Sequence, residues 1–291
     1  MHHKQSTLYN TILIHSNNFR RASGLCASCL LLCSFILLGF CSPCCSKELP
    51  VPPKKWVVTW GTAPQLVEPK NMPPAPGLTN NTLRQVVCVS IGGKRLRMKF
   101  SNDFSKDPVT IKSLQIAVST GGDAIDKGTI KTLEFDGKSA VTMEAGAEVT
   151  SDPVLFNLKP RMEVAITIYF GETSATVTGH PGSRTTSYLL AGDQTSPGGD
   201  FANATKTDHW YVINGIEVEA PKSAGTVAVF GDSITDGRGS GTNKQDRWPD
   251  VLAMRLLENP ATKYVGVLNL GIGGNCILKG GLGPTGLDRF D

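Results

Sequence analysis

Between Trp56 and about Glu219, apolar and polar side chains alternate with period two and are interrupted by turn residues, which predicts many short strands rather than helices. The most regular stretch places Leu83, Gln85, Val87, Val89 and Ile91 before Gly92-Gly93, and Leu96, Met98 and Phe100 after it. With Arg95, Arg97 and Lys99 interleaved, this reads as a hairpin with one wet and one packed face. Further strands are expected over Ile111 to Val118, at Leu133 and Phe135 before an Asp136-Gly137 turn, through Met162, Val164, Ile166, Ile168 and Phe170, and from Trp210 to Ile213. Roughly seven or eight strands at these spacings predict a two-sheet β-sandwich, an accessory domain over 54–219. The sequence shows no internal repeat.

The pattern changes after the polar, breaker-rich segment from Glu219 to Gly225, where a domain boundary is expected. Thr226-Val227-Ala228-Val229-Phe230 is a continuous apolar run, as in a parallel strand covered on both faces. Trp248-Pro249-Asp250 opens a helix whose Val251, Leu252, Met254, Leu256 and Leu257 are expected to face the sheet, and Asn259-Pro260 ends it. A second apolar strand through Tyr264-Val265-Gly266-Val267-Leu268 closes a β-α-β unit, so residues 225–291 read as part of an α/β domain. Ligands of such sheets bind beyond the carboxyl ends of the strands, which is where both glycine-rich segments of this region fall.

Residues 1–46 read as an export leader: the basic pair Arg20-Arg21 precedes an uncharged run from Ala22 to Phe40, with Ser42-Pro43 after it. The alternatives are a single membrane-spanning anchor or a lipoprotein signal with Cys41 as the lipidated residue. Six of the eight cysteines (Cys26, Cys29, Cys33, Cys41, Cys44 and Cys45) belong to this leader, so their spacing is not read as a metal or redox site. Cys88 and Cys276 remain and are expected to be ordinary buried thiols. The formal charge of +4 also comes largely from the leader, because removing Lys4, Arg20 and Arg21 leaves 26 basic against 25 acidic side chains. A nearly neutral protein has no basic stripe with which to displace counterions from nucleic acid, and that class of partner is excluded.

The chemistry is concentrated in two segments. Gly231-Asp232-Ser233-Ile234-Thr235-Asp236-Gly237 follows the first parallel strand directly, placing the Ser233 hydroxyl at an exposed corner and its peptide N–H where it can meet a developing oxyanion. Asn269-Leu270-Gly271-Ile272-Gly273-Gly274-Asn275 follows the second strand with a backbone-exposing loop, and the Gly274 N–H is a candidate second donor. In both composition and order these blocks resemble those of the SGNH (GDSL-type) ester hydrolases. The resemblance implies a flavodoxin-like three-layer α/β domain, Ser233 as nucleophile and first oxyanion donor, and Gly274 as second donor. Gly231, Asp232 and Asn269 would support the loop geometry.

The family's remaining two blocks, G-x-N-D and D-x-x-H, supply a third donor and the histidine base, and the sequence reaches Asp291 before either. Asn275 belongs to the second block and is not a substitute for the missing asparagine. His180 and His209 lie upstream of Ser233, whereas the family's base comes at the far end of the domain, and they are expected to be a loop and a strand-edge histidine, outside the mechanism; His2, His3 and His15 fall in the leader. A serine hydroxyl without a base is a poor nucleophile, so the chain as written is expected to be nearly inactive. Competing motifs fail: Cys276 stands where a dinucleotide-binding fingerprint needs glycine, and Thr235 departs from a G-x-S-x-G elbow.

The sequence therefore points to an extracytoplasmic carboxylic-ester hydrolase needing no metal or organic cofactor. Its expected substrates are small acyl esters or acetylated carbohydrates, since the resemblance extends to exported deacetylases with a preceding sandwich. Membrane contact is expected only through the leader or a lipid anchor. The alternatives are a lipase or lysophospholipase, and a non-catalytic glycan-binding sandwich in which Trp56, Trp60 and Trp210 stack on sugars. Oligomeric state is not legible.

Overall fold

A computed structural model describes residues 54–196 and 198–290. The expected leader and its cysteines lie outside the described residues. What is described is strand-rich, with few helices, as the period-two pattern predicts. Two antiparallel sheets dominate. In the first, Lys54–Gly61 pairs with Ile213–Pro221, which pairs with Gly93–Ser101, and that strand in turn binds Glu148–Thr150 and Val154–Leu158. In the second, Asn81–Cys88 and Glu163–Phe170 are central, flanked by Ser187–Ala191 on one side and Val109–Gly121 on the other. Side chains from both sheets, among them Leu96, Met98, Phe100, Ile216, Leu83, Val87, Ile166 and Ile168, share one buried cluster.

Asn81–Cys88 shows why alternation alone underspecifies its surroundings. Leu83 and Val87 enter the main cluster, whereas Val86 points the other way into a second cluster with Ala165, Tyr188 and Phe201. On that second face Arg84 is fully buried, its guanidinium donating to Thr167 Oγ1 at 3.0 Å and to the Asp123 and Gly198 carbonyls at 2.7 Å each. Burial lowers its pKa to about 10.

Several local expectations are corrected. The strands on either side of Gly92-Gly93 do not pair with each other, because Asn81–Cys88 lies in the larger sheet and Gly93–Ser101 in the other. The glycines mark a crossing between sheets, and a Cβ at Gly92 would fall 2.3 Å from the Leu158 carbonyl oxygen. Both stretches bury an apolar face against the shared cluster, and crossing over satisfies both. Arg95, Arg97 and Lys99 do lie on the wetter face, where they pair with Glu217 and Glu219 of the neighbouring strand. The expected Trp210–Ile213 strand is split: Trp210–Tyr211 belongs to a small three-stranded sheet, and Val212, at φ 67°, turns the chain into Ile213–Pro221. Phe135 makes only an isolated bridge to Lys138. Cys88 is buried, which pushes its thiol up to about 11, but Cys276 is exposed because it lies in a surface loop beyond the second parallel strand.

Beyond Pro221 a tight turn, closed by the Ala224 N–H on the Pro221 carbonyl at 2.9 Å, leads into Gly225–Gly231. This strand pairs in parallel with Val265–Gly271, and between them the chain forms the one-turn helix α1, Ser233–Asp236, and helix α2, Trp248–Glu258. Helix α2 starts where its Pro and Asp predict, with Asp250 Oδ2 accepting the Arg247 backbone N–H at 3.2 Å and its Nε–H at 2.7 Å. Its buried face is Pro249, Asp250 and Ala253, whereas Met254, expected against a sheet, is exposed. Gly225–Gly231 likewise differs from the expected doubly covered strand, since Val227 and Phe230 are exposed. Among the described residues the parallel sheet has two strands and one crossover helix, which leaves these side chains uncovered.

This small sheet is tied to the Lys54–Gly61 strand by specific polar contacts. Ser90 Oγ donates to the Thr59 carbonyl at 2.6 Å and accepts from the Val267 N–H at 3.1 Å; Thr226 Oγ1 donates to the Val58 carbonyl at 2.8 Å. Gly266 permits the approach, because a Cβ there would stand 2.9 Å from the Val58 oxygen. Replacing Ser90 with Ala leaves the buried Val267 N–H without its partner. We expect Ser90→Ala to lower unfolding free energy by about 1–3 kcal/mol in urea titrations, and an unchanged midpoint would refute this assignment.

Candidate active site

The first block is shaped by a strand end, a cap and a close approach. Gly231 ends its strand, Asp232 caps the one-turn helix α1, Ser233–Asp236, by accepting the Ile234 N–H at 3.0 Å, and Gly237 closes the turn at φ 108°. The Ser233 carbonyl accepts from the Gly237 and Arg238 amides at 3.1 and 2.7 Å. A Cβ at residue 231 would lie 2.1 Å from Thr235 Oγ1, so a glycine is needed for α1 to fold back on the strand that feeds it.

The second block reaches the same place from the neighbouring strand. Gly231 and Gly271 are register partners, so both blocks leave the sheet at one level. Asn269 Oδ1 accepts the Gly271 N–H at 3.0 Å and holds the strand exit, and the Ile272 N–H donates to the Gly231 carbonyl at 3.1 Å. A Cβ on Gly273 would sit 4.0 Å from that of Ser233, which brings the Gly273-Gly274 loop beside the serine. Gly274 adopts φ 75°. Asn275 is committed to the following loop, donating to the Leu282 and Pro284 carbonyls at 2.9 and 2.7 Å and accepting from Arg289 at 2.8 Å.

All five residues singled out from sequence thus gather at one corner. Ser233 and Gly274 line the same open cleft, while Gly231, Asp232 and Asn269 shape the backbone behind it. The opposite wall comes from the β-rich segment, with Gln65, Lys70 and Arg184 among its residues. Sequence reading missed this wall and one contact in it. The buried His180, on the short Thr178–His180 strand rather than in a loop, places Nε2 2.9 Å from Oδ1 of the equally buried Asp236. The two residues are 56 positions apart in sequence, and no spacing rule joins them.

Among the described residues, no base is hydrogen-bonded to the Ser233 hydroxyl. His180 is engaged by Asp236 and the Ala63 carbonyl, and His209 by the Pro181 carbonyl at 2.7 Å. Nor do the described residues include a group of three or more His, Cys, Asp or Glu able to hold a metal ion. Trp60 and Trp210, considered as sugar platforms, are buried and packed edge to face with centroids 5.0 Å apart.

Steric crowding at α1 provides a direct test. A Cβ at residue 271 would lie 2.2 Å from the Asp236 backbone nitrogen, whereas one at residue 225 meets nothing within 4 Å. We expect Gly271→Ala to cost about 1–3 kcal/mol or more through forced backbone movement, and Gly225→Ala to stay within about 1 kcal/mol of the parent. Equal urea midpoints for the two variants would contradict the packing described.

No curated protein matches the chain. The family model for GDSL-like lipases and acylhydrolases matches residues 227–290, a span that holds both blocks, α1, α2 and the Val265–Gly271 strand. This C-terminal segment therefore belongs to the GDSL-like lipase/acylhydrolase family, the SGNH hydrolases that its two blocks resemble.

Proposed function

We propose that the chain is part of an exported carboxylic-ester hydrolase in which Ser233 is the nucleophile and the backbone N–H groups of Ser233 and Gly274 bind the oxyanion. The observation that carries this reading is the register of Gly231 with Gly271, which sets Ser233 beside the Gly273-Gly274 loop at a single cleft. Ser233 Oγ attacks the ester carbonyl, the alcohol leaves with a proton, and water then releases the acid and restores the hydroxyl. The general base that relays the proton is not among the described residues. A serine hydroxyl without such a partner acylates slowly.

The cleft wall of Gln65, Lys70 and Arg184 is polar, which supports small acyl esters of polar alcohols, acetylated carbohydrates above all, over long-chain lipids. In this reading residues 54–219 are a β-sandwich accessory domain, and residues 225–291 are the opening portion of a flavodoxin-like three-layer domain. Residues 1–46 direct the protein out of the cytoplasm.

The experiment is acyl transfer from p-nitrophenyl acetate, followed by release of p-nitrophenolate and by mass spectrometry of the peptide bearing Ser233. We expect an acetyl group on Ser233 of the parent and none on the corresponding peptide of Ser233→Ala. Equal release by parent and variant, with no acetyl on Ser233, rules the nucleophile out.

A further inference from the structure

The carboxylate of Asp236, the last residue of α1, finds its charged and hydrogen-bonding partners in a short stretch of the β-rich segment. His180 Nε2 lies 2.9 Å from Oδ1, and Arg184 Nη2 is 4.0 Å from Oδ2. Between them Gly182 leaves the room the carboxylate fills, since a Cβ there would stand 2.1 Å from Oδ2. His180, Gly182 and Arg184 all lie outside the span matched by the family model.

The imidazole is itself held rigidly. Its Nδ1 is 2.9 Å from the Ala63 carbonyl, which can only accept, so Nδ1–H donates and the ring orientation is set. The contact between Nε2 and Asp236 is then closed by a proton on either atom. Trp210 stacks over the ring, with centroids 6.0 Å apart and planes at 30°.

The far end of this chain of contacts is Ser233. Gly237 and Arg238, the two residues after Asp236, both donate their amides to the Ser233 carbonyl, so a displacement of Asp236 is passed to the residue bearing the hydroxyl. We propose that His180 is a positioning residue for Ser233, fixing α1 through Asp236 so that the β-rich segment is a working part of the site. The proposal rests on the esterase reading above and deepens it, because the segment preceding the family match supplies an interior support of the nucleophile's turn. Preorganisation of this kind matters because a reacting group held about 1 Å out of place loses about 100-fold in rate.

Two substitutions separate the halves of the clasp. In His180→Gln the side-chain amide reaches the place of Nε2 and keeps a donor for Asp236; in His180→Asn it reaches only the place of Nδ1 and keeps the bond to Ala63. Amide hydrogen exchange is measured at Asp236, Gly237 and Arg238, with Ile166 and Ile168 in the central strand as references. We expect exchange in α1 to rise about 10-fold or more in His180→Asn and to stay within about 3-fold of the parent in His180→Gln, with the references unchanged in both. Acetyl transfer to Ser233 should follow the same order. Unchanged exchange in His180→Asn, or exchange that rises equally at the references, overturns the proposal. If the parent fails to acetylate Ser233, the esterase reading falls, while the exchange pattern still decides whether His180 holds α1.

Discussion

A side chain as small as a methyl group at Gly231 or Gly271 would collide with α1, at Thr235 in the first case and at the Asp236 backbone in the second. Gly182 imposes the same limit from the β-rich segment, against the Asp236 carboxylate. Three separate stretches of chain thus converge on one turn of helix, and each must be bare of a Cβ to do so. The geometry of the candidate site depends on this close packing. It places Ser233 at the mouth of a cleft and the Gly273-Gly274 loop alongside, and it makes the turn too crowded to relax independently of its neighbours.

The crowding also explains how the two parts of the chain hold together. The contact between the small parallel sheet and the Lys54–Gly61 strand is made largely by polar groups in tight places: Ser90 bridging Thr59 and Val267, Thr226 on Val58, and Gly266 admitting the backbone. Nearby, Arg161 of the β-rich segment reaches Asp250 of α2 at 3.3 Å, and Asp250 also receives Arg247 at 2.7 Å. Directional contacts of this type define relative placement more sharply than apolar burial does, because each donor must find its acceptor. Apolar cover is correspondingly thin elsewhere on the parallel pair and in the segment that follows it, where Val227, Phe230, Ile277, Leu278 and Phe290 are exposed.

Much of this was legible beforehand because local rules suffice for it. The end of Gly225–Gly231, the start of α2 at Trp248 and the parallel pairing with Val265–Gly271 follow from apolar runs, a Pro-Asp helix start and a β-α-β spacing. The errors have one physical origin. Alternation reports which side chains are buried but not by what, so the Gly92-Gly93 turn read as a hairpin when each flanking strand finds its partners in a different sheet. In the same way an apolar run at 226–230 reads as a strand with two covered faces, while burial depends on which other elements pack onto the sheet.

The sequence by itself determined the strand-rich character of the first part, the strand-loop-helix frame of the second and the two glycine-bearing blocks with Ser233 between strand and helix. Those are properties of adjacent residues, governed by backbone sterics and by short-range periodicity. Only the tertiary structure decided that His180 meets Asp236, that Ser90 joins the two segments and that Gln65, Lys70 and Arg184 face Ser233 across the cleft. These are contacts between residues dozens to well over a hundred positions apart. A lone histidine in a β-rich segment looks the same whether it ends in solvent or against a carboxylate, and long-range packing alone makes the difference.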